Sequence, residues 1–435
     1  MSNASVREIA EAAKRASRSL ASLDEAKRNR VLEAMAAALE RSASELFTAN
    51  QQDMRCATER NADDALPAST LSRLKLTDDK LREMVEQVRS VAALPDPLNR
   101  KLDAIELDEG LNLDKVSVPL GVLAVIFEAR PDAVTQIASL AIKSGNAVIL
   151  KPGREVEHTA KAIVRVLRAA LASEGIPEDA VSLVLGRESV AELLAMHDLV
   201  DMVIPRGSKA LVEYVQANTR IPVLGHSEGI CHIYVDRAAD QELALRVIDD
   251  AKLDYPAACN AVETVLVHRD IAPQFVPKLL TRLRERGVVV HGDDHVREVN
   301  SEVRAVAAWH SEYGEPELAV GVVDSLNAAI DHIHKHGSAH TESILTEDSE
   351  AAEKFLRQVD AAGVFHNAST RFADGFRYGF GAEVGISTSK LHARGPVGLE
   401  GLTTYKYVLR GHGHVAGDYR GANARAFTHR REAKR

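Results

Sequence analysis

The amino-acid sequence predicts an α/β protein with two open parallel-sheet domains and a small β-ribbon. At 435 residues, and with roughly 150 residues in an average domain, the chain suits two or three domains. From residue 121 onward, short runs of Val, Ile and Leu alternate with amphipathic segments. This alternation indicates buried parallel strands with helices between them. A strand-like stretch just before residue 121 predicts the ribbon.

The first segment, 5–60, is predicted to form two or three amphipathic helices. Its apolar residues recur at intervals of three or four between charged residues, which is the period of a helix with one buried face. The pattern is carried by Ile9, Ala12, Ala16, Leu20, Val31, Met35, Leu39 and Leu46.

From Asp103 the pattern changes to that of a β-ribbon. Apolar and polar residues alternate in short runs, and Glu109-Gly110 provides a turn signal between the first two runs. The segment 390–408 has little helical pattern, and we expect it to return as a strand to the ribbon near residue 110. The alternating runs are 105–107, 111–113 and 116–118.

Two series of apolar runs predict two α/β units in tandem. Because these runs are almost continuously apolar, they are typical of parallel strands that are buried on both faces. The first series is 121–127, 147–150, 181–185, 200–204 and 221–224. The second series is 230–235, 262–267, 288–290, 318–323, 343–345 and 364–365.

The charge of the chain argues against several classes of partner. A formal net charge of −9 does not suit a nucleic-acid groove or an anionic membrane surface as the main partner. The residues from Arg410 onward are rich in Arg and His, and we interpret them as a solvated basic tail. The sequence has neither a signal-peptide pattern nor an apolar run long enough to span a bilayer, so we expect a cytoplasmic protein.

The cysteines and histidines do not predict a metal site. Cys56, Cys231 and Cys259 are too few and too far apart for a disulfide framework or a metal-ligand cluster. A dense tract of histidines falls across a predicted helix end and loop without a partnering cysteine, so we expect no metal there. This tract is His332, His334, His336 and His340.

Three predicted strand ends carry cations, glycines or serines that suit a phosphorylated ligand. In an open parallel sheet, ligands collect beyond the carboxyl ends of the strands, where backbone N–H groups at helix starts favour anions. No Gly-x-Gly-x-x-Gly pattern follows a strand, and each segment alone could be an ordinary helix-start loop. The segments are Glu128-Ala129-Arg130-Pro131, Lys151-Pro152-Gly153-Arg154 and Pro205-Arg206-Gly207-Ser208-Lys209.

Cys259 lies in a segment with turn chemistry, between Pro256 and the apolar run that begins at Val262. A thiol on a turn before a buried strand is a candidate nucleophile. Taken alone, a single cysteine is more often a small buried hydrophobe. The rest of the chain must decide between the two interpretations.

Several long motifs resemble the γ-glutamyl phosphate reductase family, which belongs to the aldehyde dehydrogenase superfamily. The resemblance spans nearly the whole chain. The motifs are Val118-Pro119-Leu120-Gly121-Val122, Phe127-Glu128-Ala129-Arg130-Pro131-Asp132, Leu150-Lys151-Pro152-Gly153-Arg154-Glu155, Ile204-Pro205-Arg206-Gly207-Ser208, Cys259-Asn260-Ala261-Val262-Glu263-Thr264, the run 379–388, the run 391–399 and the run 402–407.

The resemblance implies an aldehyde dehydrogenase-like arrangement of cofactor domain, catalytic domain and oligomerisation ribbon. Mapped onto this chain, it predicts an NADP-binding domain at 1–102 and 119–225, a catalytic domain at 226–368, a return to the cofactor domain at 369–389, a ribbon at 103–118 and 390–415, and a basic tail at 416–435.

The resemblance also implies a reaction. It is the NADPH-dependent reduction of L-glutamate 5-phosphate to L-glutamate 5-semialdehyde with release of phosphate, the second step of L-proline biosynthesis. Cys259 would be the nucleophile that forms a thioester, and backbone N–H groups near it, with the Asn260 side chain, would stabilise the oxyanion. The superfamily's water-activating Glu has no counterpart in 223–229, which favours reduction over hydrolysis.

Cofactor and substrate residues follow from the same matching. Arg154 would favour the 2′-phosphate of NADPH, while Glu312 resembles the acid that holds the nicotinamide ribose, although its neighbours depart from the family pattern. The full cofactor set is Lys151, Gly153, Arg154, Arg206, Gly207, Ser208 and Glu312. The substrate candidates are Arg130, Arg371, Glu383 and Lys390.

The resemblance further implies a homodimer or homotetramer and allows a transient contact with glutamate 5-kinase, which makes the labile acyl phosphate. Two other functions stay open, a CoA-acylating aldehyde dehydrogenase and a non-catalytic protein that has kept the fold. A Cys-His hydrolase is disfavoured because no histidine lies in a motif that would pair with Cys259.

Overall fold

The structure is a computed structural model, and it describes residues 4–59, 66 and 68–431. These residues divide into two compact units. The first unit takes the described residues of Met1–Leu224, Phe380–Val384 and Val397–Arg435. The second unit takes Gly225–Gly379 and Gly385–Pro396.

Helices and strands alternate along most of the chain, as the apolar pattern predicts. The helices are α1 (Val6–Leu20), α2 (Glu25–Arg41), α3 (Ala43–Thr58), α4 (Ala68–Leu74), α5 (Asp78–Ala93), α6 (Pro131–Lys143), α7 (Glu157–Ser173), α8 (Ser189–Leu194), α9 (Lys209–Ala217), α10 (Gln241–Leu253), α11 (Ala272–Glu285), α12 (Asp294–Val299), α13 (Leu326–His336) and α14 (Ser349–Gln358). The strands are β1 (Lys101–Asp108), β2 (Leu111–Pro119), β3 (Val122–Phe127), β4 (Ala147–Pro152), β5 (Val181–Leu183), β6 (Met202–Arg206), β7 (Cys231–Val235), β8 (Val262–His268), β9 (Val289–Gly292), β10 (Arg304–Ala305), β11 (Glu317–Val323), β12 (Thr341–Leu345), β13 (Gly363–His366), β14 (Ile386–Ser387), β15 (Gly395–Pro396), β16 (Thr403–Arg410) and β17 (Arg430–Arg431).

The first unit contains a parallel sheet with the strand order β5-β4-β3-β6. Every residue of β3 and β4 is buried, which explains why their sequences, apart from Lys151, are continuously apolar instead of alternating. The predicted fifth strand, 221–224, forms only an isolated bridge between Val223 and Val203. Pro222 lies within this segment and has no N–H to donate to a ladder.

The ribbon is a four-stranded antiparallel sheet with the order β16-β2-β1-β17. Gly110, at the predicted turn, has φ of 74°, which glycine adopts without strain. The predicted return of the chain to the ribbon is confirmed, because β16 pairs with β2 along its whole length. The described part of the tail is almost entirely exposed, but Arg430 and Arg431 form β17, which pairs with β1. Residues 432–435 of the tail lie outside the described residues.

The second unit is built on a seven-stranded parallel sheet with the order β10-β9-β11-β8-β7-β12-β13. One core cluster packs α10 and α11 against Ile233, Val265 and other residues of β7 and β8. A second cluster packs α13 and α14 against Tyr234 and Leu266 of the same strands. Because neighbouring residues of a strand point to opposite faces, these clusters cover the two sides of the sheet.

The predicted domain boundaries need correction between 369 and 396. Within that stretch, only Phe380–Val384 clusters with the first unit, whereas 369–379 and 385–396 belong to the second. Two sets of contacts inside the second unit account for this. Arg377 donates to Asp254 at 2.8 Å, and β14 pairs antiparallel with β15.

None of the helices in the described part of the chain is both long enough and apolar enough to cross a membrane.

Candidate functional site

Cys259 lies on the turn that joins α10 to β8. Two backbone hydrogen bonds close this turn, from Ala258 N–H to the Tyr255 carbonyl at 3.0 Å and from Ala261 N–H to the Ala258 carbonyl at 2.9 Å. β8 is an inner strand of the seven-stranded sheet, so the turn is anchored at its end by a rigid element. The Cys259 side chain is half-buried. The structure therefore presents this thiol from a fixed backbone without burying it completely.

Gly229 allows a second segment to reach the backbone of Cys259. A Cβ atom at residue 229 would lie 2.5 Å from the Cys259 Cα and closer still to its carbonyl oxygen. No real Cβ atom tolerates such a distance, so residue 229 must be glycine for the two segments to meet. This contact brings His226, three residues earlier in the chain, toward the turn.

Two histidines lie beside the Cys259 thiol. The Cys259 Sγ and one ring nitrogen each of His226 and His340 all lie within 4.8 Å of one another. The sequence shows no histidine in a motif that would pair with Cys259, yet the fold brings two histidines from other segments to this thiol. The two rings are arranged edge to face, with their centroids 5.1 Å apart.

His226 is oriented by a backbone carbonyl. Its Nδ1 lies 3.0 Å from the Ile386 oxygen, and because a carbonyl can only accept, Nδ1 carries the hydrogen. In the neutral ring, Nε2 is then the nitrogen that can accept a proton. His226 is half-buried, so this nitrogen can serve as a base.

His340 is completely buried. Its Nδ1 lies 2.9 Å from Thr341 Oγ1 and 3.7 Å from Cys231 Sγ. Burial, with a smaller contribution from His226, lowers the pKa of His340 to about 3. Its ring is therefore neutral at pH 7. The Nε2 atom is buried and has no hydrogen-bond partner among the described residues.

Cys231 is the second thiol of this region, and it is unsuited to nucleophilic attack. Burial, followed by the charges of Glu342 and Cys259, raises the pKa of the Cys231 thiol well above its ordinary value. Its Sγ donates to the Cys259 carbonyl oxygen at 3.4 Å. Cys231 is thus a buried, protonated thiol that supports the Cys259 turn.

The structure does not support the expected oxyanion role of the Asn260 side chain. The Asn260 amide nitrogen donates to the carbonyl oxygens of Ala373 at 2.9 Å and Arg371 at 3.5 Å. Its carboxamide oxygen accepts from the Arg371 guanidinium. Because both amide hydrogens are engaged, this side chain anchors the 371–373 loop and is not directed at a ligand.

Two of the predicted substrate cations are paired with carboxylates of the chain itself. The Arg371 Nε donates to Asp254 at 3.0 Å. The Lys390 ammonium pairs with Asp360, which also accepts from Arg394 at 2.8 Å. The hydrogen bond from Lys390 and then that from Arg394 lower the pKa of Asp360 to about 2. Both cations are therefore better explained as loop anchors than as substrate ligands.

The other two predicted substrate residues belong to the first unit. Arg130 is the N-cap residue of α6, with extended backbone dihedrals. Glu383 is half-buried between the buried residues Ala382 and Val384.

In the first unit, Lys151 lies near the carboxyl end of β4. It is only 7% exposed, and its ammonium donates to the Pro152 carbonyl at 2.9 Å. Burial lowers the pKa of Lys151 from its ordinary value, while nearby acids, Glu155 first, oppose the shift. Gly153 then leads into a 3₁₀ turn that begins with Arg154, whose side chain is exposed.

The start of α9 already holds an anion. The backbone N–H of Ser208, the N-cap residue, donates to the Glu128 carboxylate at 2.9 Å, and its hydroxyl lies 3.4 Å from the same group. A Cβ at residue 207 would lie 2.6 Å from Glu128 Oε2, so a larger residue here would displace the Glu128 carboxylate. The Arg206 guanidinium donates to Gln136 at 2.9 Å. The carboxylate shows that this helix start suits a negatively charged group.

Glu312 is exposed, and the two residues after it form backbone contacts with a buried carboxylate of the second unit. The backbone N–H groups of Tyr313 and Gly314 lie 3.3 and 3.4 Å from the Glu263 carboxylate. Glu263 pairs with Lys252 at 2.9 Å, and both side chains are almost fully buried. The backbone that follows Glu312 is therefore held by a buried ion pair.

The sequence did not predict the roles of Gly229, His340 and Glu128. The segment 223–229 offers His226 and Glu228 for proton transfer, although the sequence favours a role for both in shaping the loop. His340 gave no usable signal, because it is far from Cys259 along the chain and was assigned to an unrelated histidine tract.

Residues 1–301 match the aldehyde dehydrogenase family. The chain is 54% identical over 424 residues to the γ-glutamyl phosphate reductase of a Cyanothece strain, covering 97% of each sequence. It is 50% identical over 422 residues to that of Natronomonas pharaonis, covering 96% of each. The crystal structure of γ-glutamyl phosphate reductase from Thermotoga maritima superposes with a TM-score of 0.92 at 39% identity, covering 94% of this chain and 99% of that one. The chain therefore belongs to the γ-glutamyl phosphate reductases, a group of enzymes within the aldehyde dehydrogenase family.

Proposed function

We propose that the protein reduces L-glutamate 5-phosphate to L-glutamate 5-semialdehyde with NADPH, through a thioester on Cys259, in L-proline biosynthesis. Family membership supports the reaction class. The observation that carries the chemistry is the half-buried Cys259 thiol beside two imidazoles, at the end of a rigid strand.

The first step is ionisation of the thiol. Thiolates are far better nucleophiles than thiols, and a neighbouring base promotes their formation. Because Nδ1 donates to the Ile386 carbonyl, Nε2 is the His226 nitrogen that can accept a proton. We infer that His226 accepts the Cys259 proton, after a side-chain rotation or through one water molecule.

The second step is acyl transfer. The Cys259 thiolate attacks the carbonyl carbon of the acyl phosphate, the bond to the phosphate oxygen breaks, and a thioester forms. The departing phosphate takes the proton that His226 received. Backbone N–H groups of the Cys259 turn are the proposed oxyanion donors, since the Asn260 side chain is engaged with the 371–373 loop.

The third step is reduction. When bound, NADPH supplies a hydride to the thioester carbon. The resulting alkoxide collapses to the aldehyde and expels the Cys259 thiolate, which is then ready for another turnover. No residue has to activate water, which agrees with the absence of a Glu at the start of 223–229.

The residues of the first unit fit a phosphorylated dinucleotide. The Glu128 carboxylate shows that the start of α9 accepts an anion. The backbone N–H of Ser208, which donates to Glu128 here, would donate to a bound pyrophosphate instead. Lys151 would contact the adenosine ribose, and Arg206 and Gly207 would flank the pyrophosphate. Arg154 is exposed and cationic, which favours the 2′-phosphate of NADPH. In the second unit, Glu312 would hold the nicotinamide ribose.

The reverse reaction tests this proposal most directly. Purified protein is mixed with L-glutamate 5-semialdehyde, phosphate and NADP, and formation of the reduced cofactor is followed by absorbance. We expect activity that requires phosphate, is not supported by CoA and disappears in Cys259→Ala. Cys56→Ala is the matched control, since Cys56 is an exposed cysteine on α3. Full activity of Cys259→Ala would refute the thioester mechanism, and CoA dependence would identify an acylating aldehyde dehydrogenase instead.

The cofactor preference is tested by Arg154→Glu. Loss of one charged hydrogen bond to a phosphate should lower the NADP-to-NAD ratio of kcat/KM by about tenfold or more. Arg18→Glu, an equal change at an exposed residue of α1, should leave the ratio unchanged. An unchanged ratio in Arg154→Glu would assign the preference to another residue.

Three further proposals follow from family membership. Arg130 and Glu383 are the remaining candidates for the substrate. The enzyme is proposed to work in the cytoplasm as a homodimer or homotetramer. A transient contact with glutamate 5-kinase would shorten the free lifetime of the acyl phosphate.

A further inference from the structure

Cys259, His226 and His340 form a set of three metal-binding side chains, and we propose that they bind one Zn²⁺ ion reversibly. The bound ion would hold the enzyme in an inhibited state. Metal binding itself is independent of the reaction proposed above, whereas the inhibition rests on it.

The chemistry of the set suits zinc. Thiolate and imidazole are the ligands that Zn²⁺ prefers, and a site with three protein ligands leaves the fourth tetrahedral position for water or an anion. The candidate ligand atoms lie within 4.8 Å of one another. In a zinc site such atoms are separated by roughly 3.3–3.6 Å, as bond lengths of about 2.0–2.3 Å require. Rotation of the half-buried Cys259 side chain can close this difference while His226 keeps its contact with the Ile386 carbonyl.

A second observation points to a ligand at this place. The His340 Nε2 is fully buried and has no hydrogen-bond partner among the described residues, although buried polar atoms are normally paired. The other nitrogen of this ring contacts Thr341 Oγ1 at 2.9 Å. A metal ion would satisfy the unpaired Nε2.

The histidines are also held as metal ligands usually are. In metal sites, the nitrogen that does not bind the ion typically donates to a carbonyl or another fixed group, which sets the ring orientation. The His226 Nδ1 makes such a contact with the Ile386 carbonyl at 3.0 Å. Neither ring therefore needs a new supporting partner in order to bind an ion.

Binding would convert the Cys259 thiol to a metal-bound thiolate and release its proton to solvent. The sulfur lone pair used for attack on the acyl phosphate would then be engaged with the ion. Because the set offers only one charged ligand and three protein contacts, we expect binding that a chelator reverses.

The test uses Co²⁺, a spectroscopic substitute for Zn²⁺, added to the reduced, EDTA-treated and desalted full-length protein without substrates. We expect one equivalent to produce a thiolate-to-cobalt charge-transfer band in the near ultraviolet, together with visible bands of tetrahedral cobalt. Zn²⁺ should displace the cobalt and abolish both. Absence of the charge-transfer band at saturating Co²⁺ would overturn the proposal.

Variants locate the site. Cys259→Ser should remove the charge-transfer band, and His340→Ala should weaken cobalt binding by about 100-fold or more, since even outer partners of metal ligands contribute 10–100-fold. His226→Ala gives a second test at a half-buried position, should the buried His340 be required for folding. Cys56→Ser is the control and should bind cobalt like the unchanged protein. Equal binding by Cys259→Ser, or by both histidine variants, would refute the assignment.

An activity measurement separates this inference from the proposed function. In the phosphate-dependent assay, Zn²⁺ should inhibit and EDTA should restore the original rate. Cobalt binding without any reductase activity would leave the metal site standing and refute the proposed function. Reductase activity without cobalt binding would refute the metal site alone.

Discussion

At the residue scale, the approach of Gly229 to Cys259 shows how strictly the candidate site constrains single positions. The missing side chain at 229 lets two backbone segments pack directly against each other. The half-buried thiol and the imidazole of His226 depend on this packing for their mutual distance. Glycine is thus required here for space, in addition to any conformational preference.

We predict that Gly229→Ala lowers kcat by about 100-fold, because displacing a reacting group by about 1 Å costs that much. It should also destabilise the protein by about 1–3 kcal/mol through overpacking. Enzyme assay and urea unfolding check the two effects. Gly417→Ala is the control, because a Cβ there meets nothing within 4 Å. Similar behaviour of the two variants would show that the close approach is unimportant.

His332 illustrates the effect of burial on a titratable residue. Its ring centroid lies 4.8 Å from that of Trp309 and 5.6 Å from that of His232. Its Nε2 is buried without a hydrogen-bond partner among the described residues. Burial, and then the positive charges of His232, His336 and Lys335, lower the pKa of His332 to about 3. The folded protein therefore keeps this ring neutral at pH values where the unfolded chain binds a proton.

We predict that His332 makes the protein less stable as the pH falls. A base with a lowered pKa in the folded state costs no stability above its unfolded pKa of about 6.5, and stability falls as the pH drops from there toward 3. Between pH 7 and 5.5 this residue should contribute a loss of roughly 1 kcal/mol. His332→Asn should show a shallower fall in unfolding free energy than the unchanged protein. His295→Asn, at an exposed histidine, should show the same fall in unfolding free energy as the unchanged protein. If the unfolding free energy of all three proteins falls equally with pH, burial of His332 does not cause the effect.

At the element scale, a buried ion pair joins α10 to β8, the two elements on either side of the Cys259 turn. Lys252 and Glu263 are 0% and 1% exposed and lie 2.9 Å apart. Burial raises the pKa of Glu263 to about 7, while Lys252 opposes this shift. Burial lowers the pKa of Lys252, which Glu263 opposes in turn. Each charge is tolerated because the other is present.

We predict that Lys252→Met destabilises the protein by about 3–5 kcal/mol at pH 8, because it leaves an unpaired buried carboxylate. The destabilisation should shrink toward pH 6, since protonation of Glu263 removes the charge. Glu263→Gln added to Lys252→Met should recover part of the loss. Urea unfolding of the single and double variants measures this. If the unfolding free energy of Lys252→Met lies within about 1 kcal/mol of that of the unchanged protein, the ion pair contributes little to stability.

At the scale of the whole molecule, the ribbon is the candidate surface for self-association. β16 is an edge strand of its sheet. Three of its apolar or aromatic side chains are exposed, namely Tyr405, Tyr407 and Leu409. An uncovered edge strand with such side chains is a common pairing surface. This surface supports the proposed homo-oligomer.

We predict that Tyr407→Asp combined with Leu409→Asp shifts the protein toward monomer, because the charges oppose burial of the edge. Size-exclusion chromatography with light scattering measures the mass at several concentrations. Tyr214→Asp, at an exposed tyrosine on α9, should keep the original mass. An unchanged mass in the double variant would place the interface elsewhere.

The site residues differ in how far the sequence could predict them. The turn position of Cys259 was predictable, because a proline-marked turn before an apolar run is a local pattern. The engagement of Asn260 and Arg371 with each other was not, because they are distant in sequence and only packing brings them together. The same holds for His340 and Cys259.

By itself, the sequence determined the order of helices and strands, the two parallel sheets, the β-ribbon and the family. These features follow from the local period of apolar residues and from long motifs, both of which are visible along the chain. Only the tertiary structure decided which imidazoles flank Cys259, which cations are neutralised by the chain's own acids, and that the basic tail pairs with β1. The physical reason is that side-chain partners from distant segments are selected by packing, for which no local pattern exists.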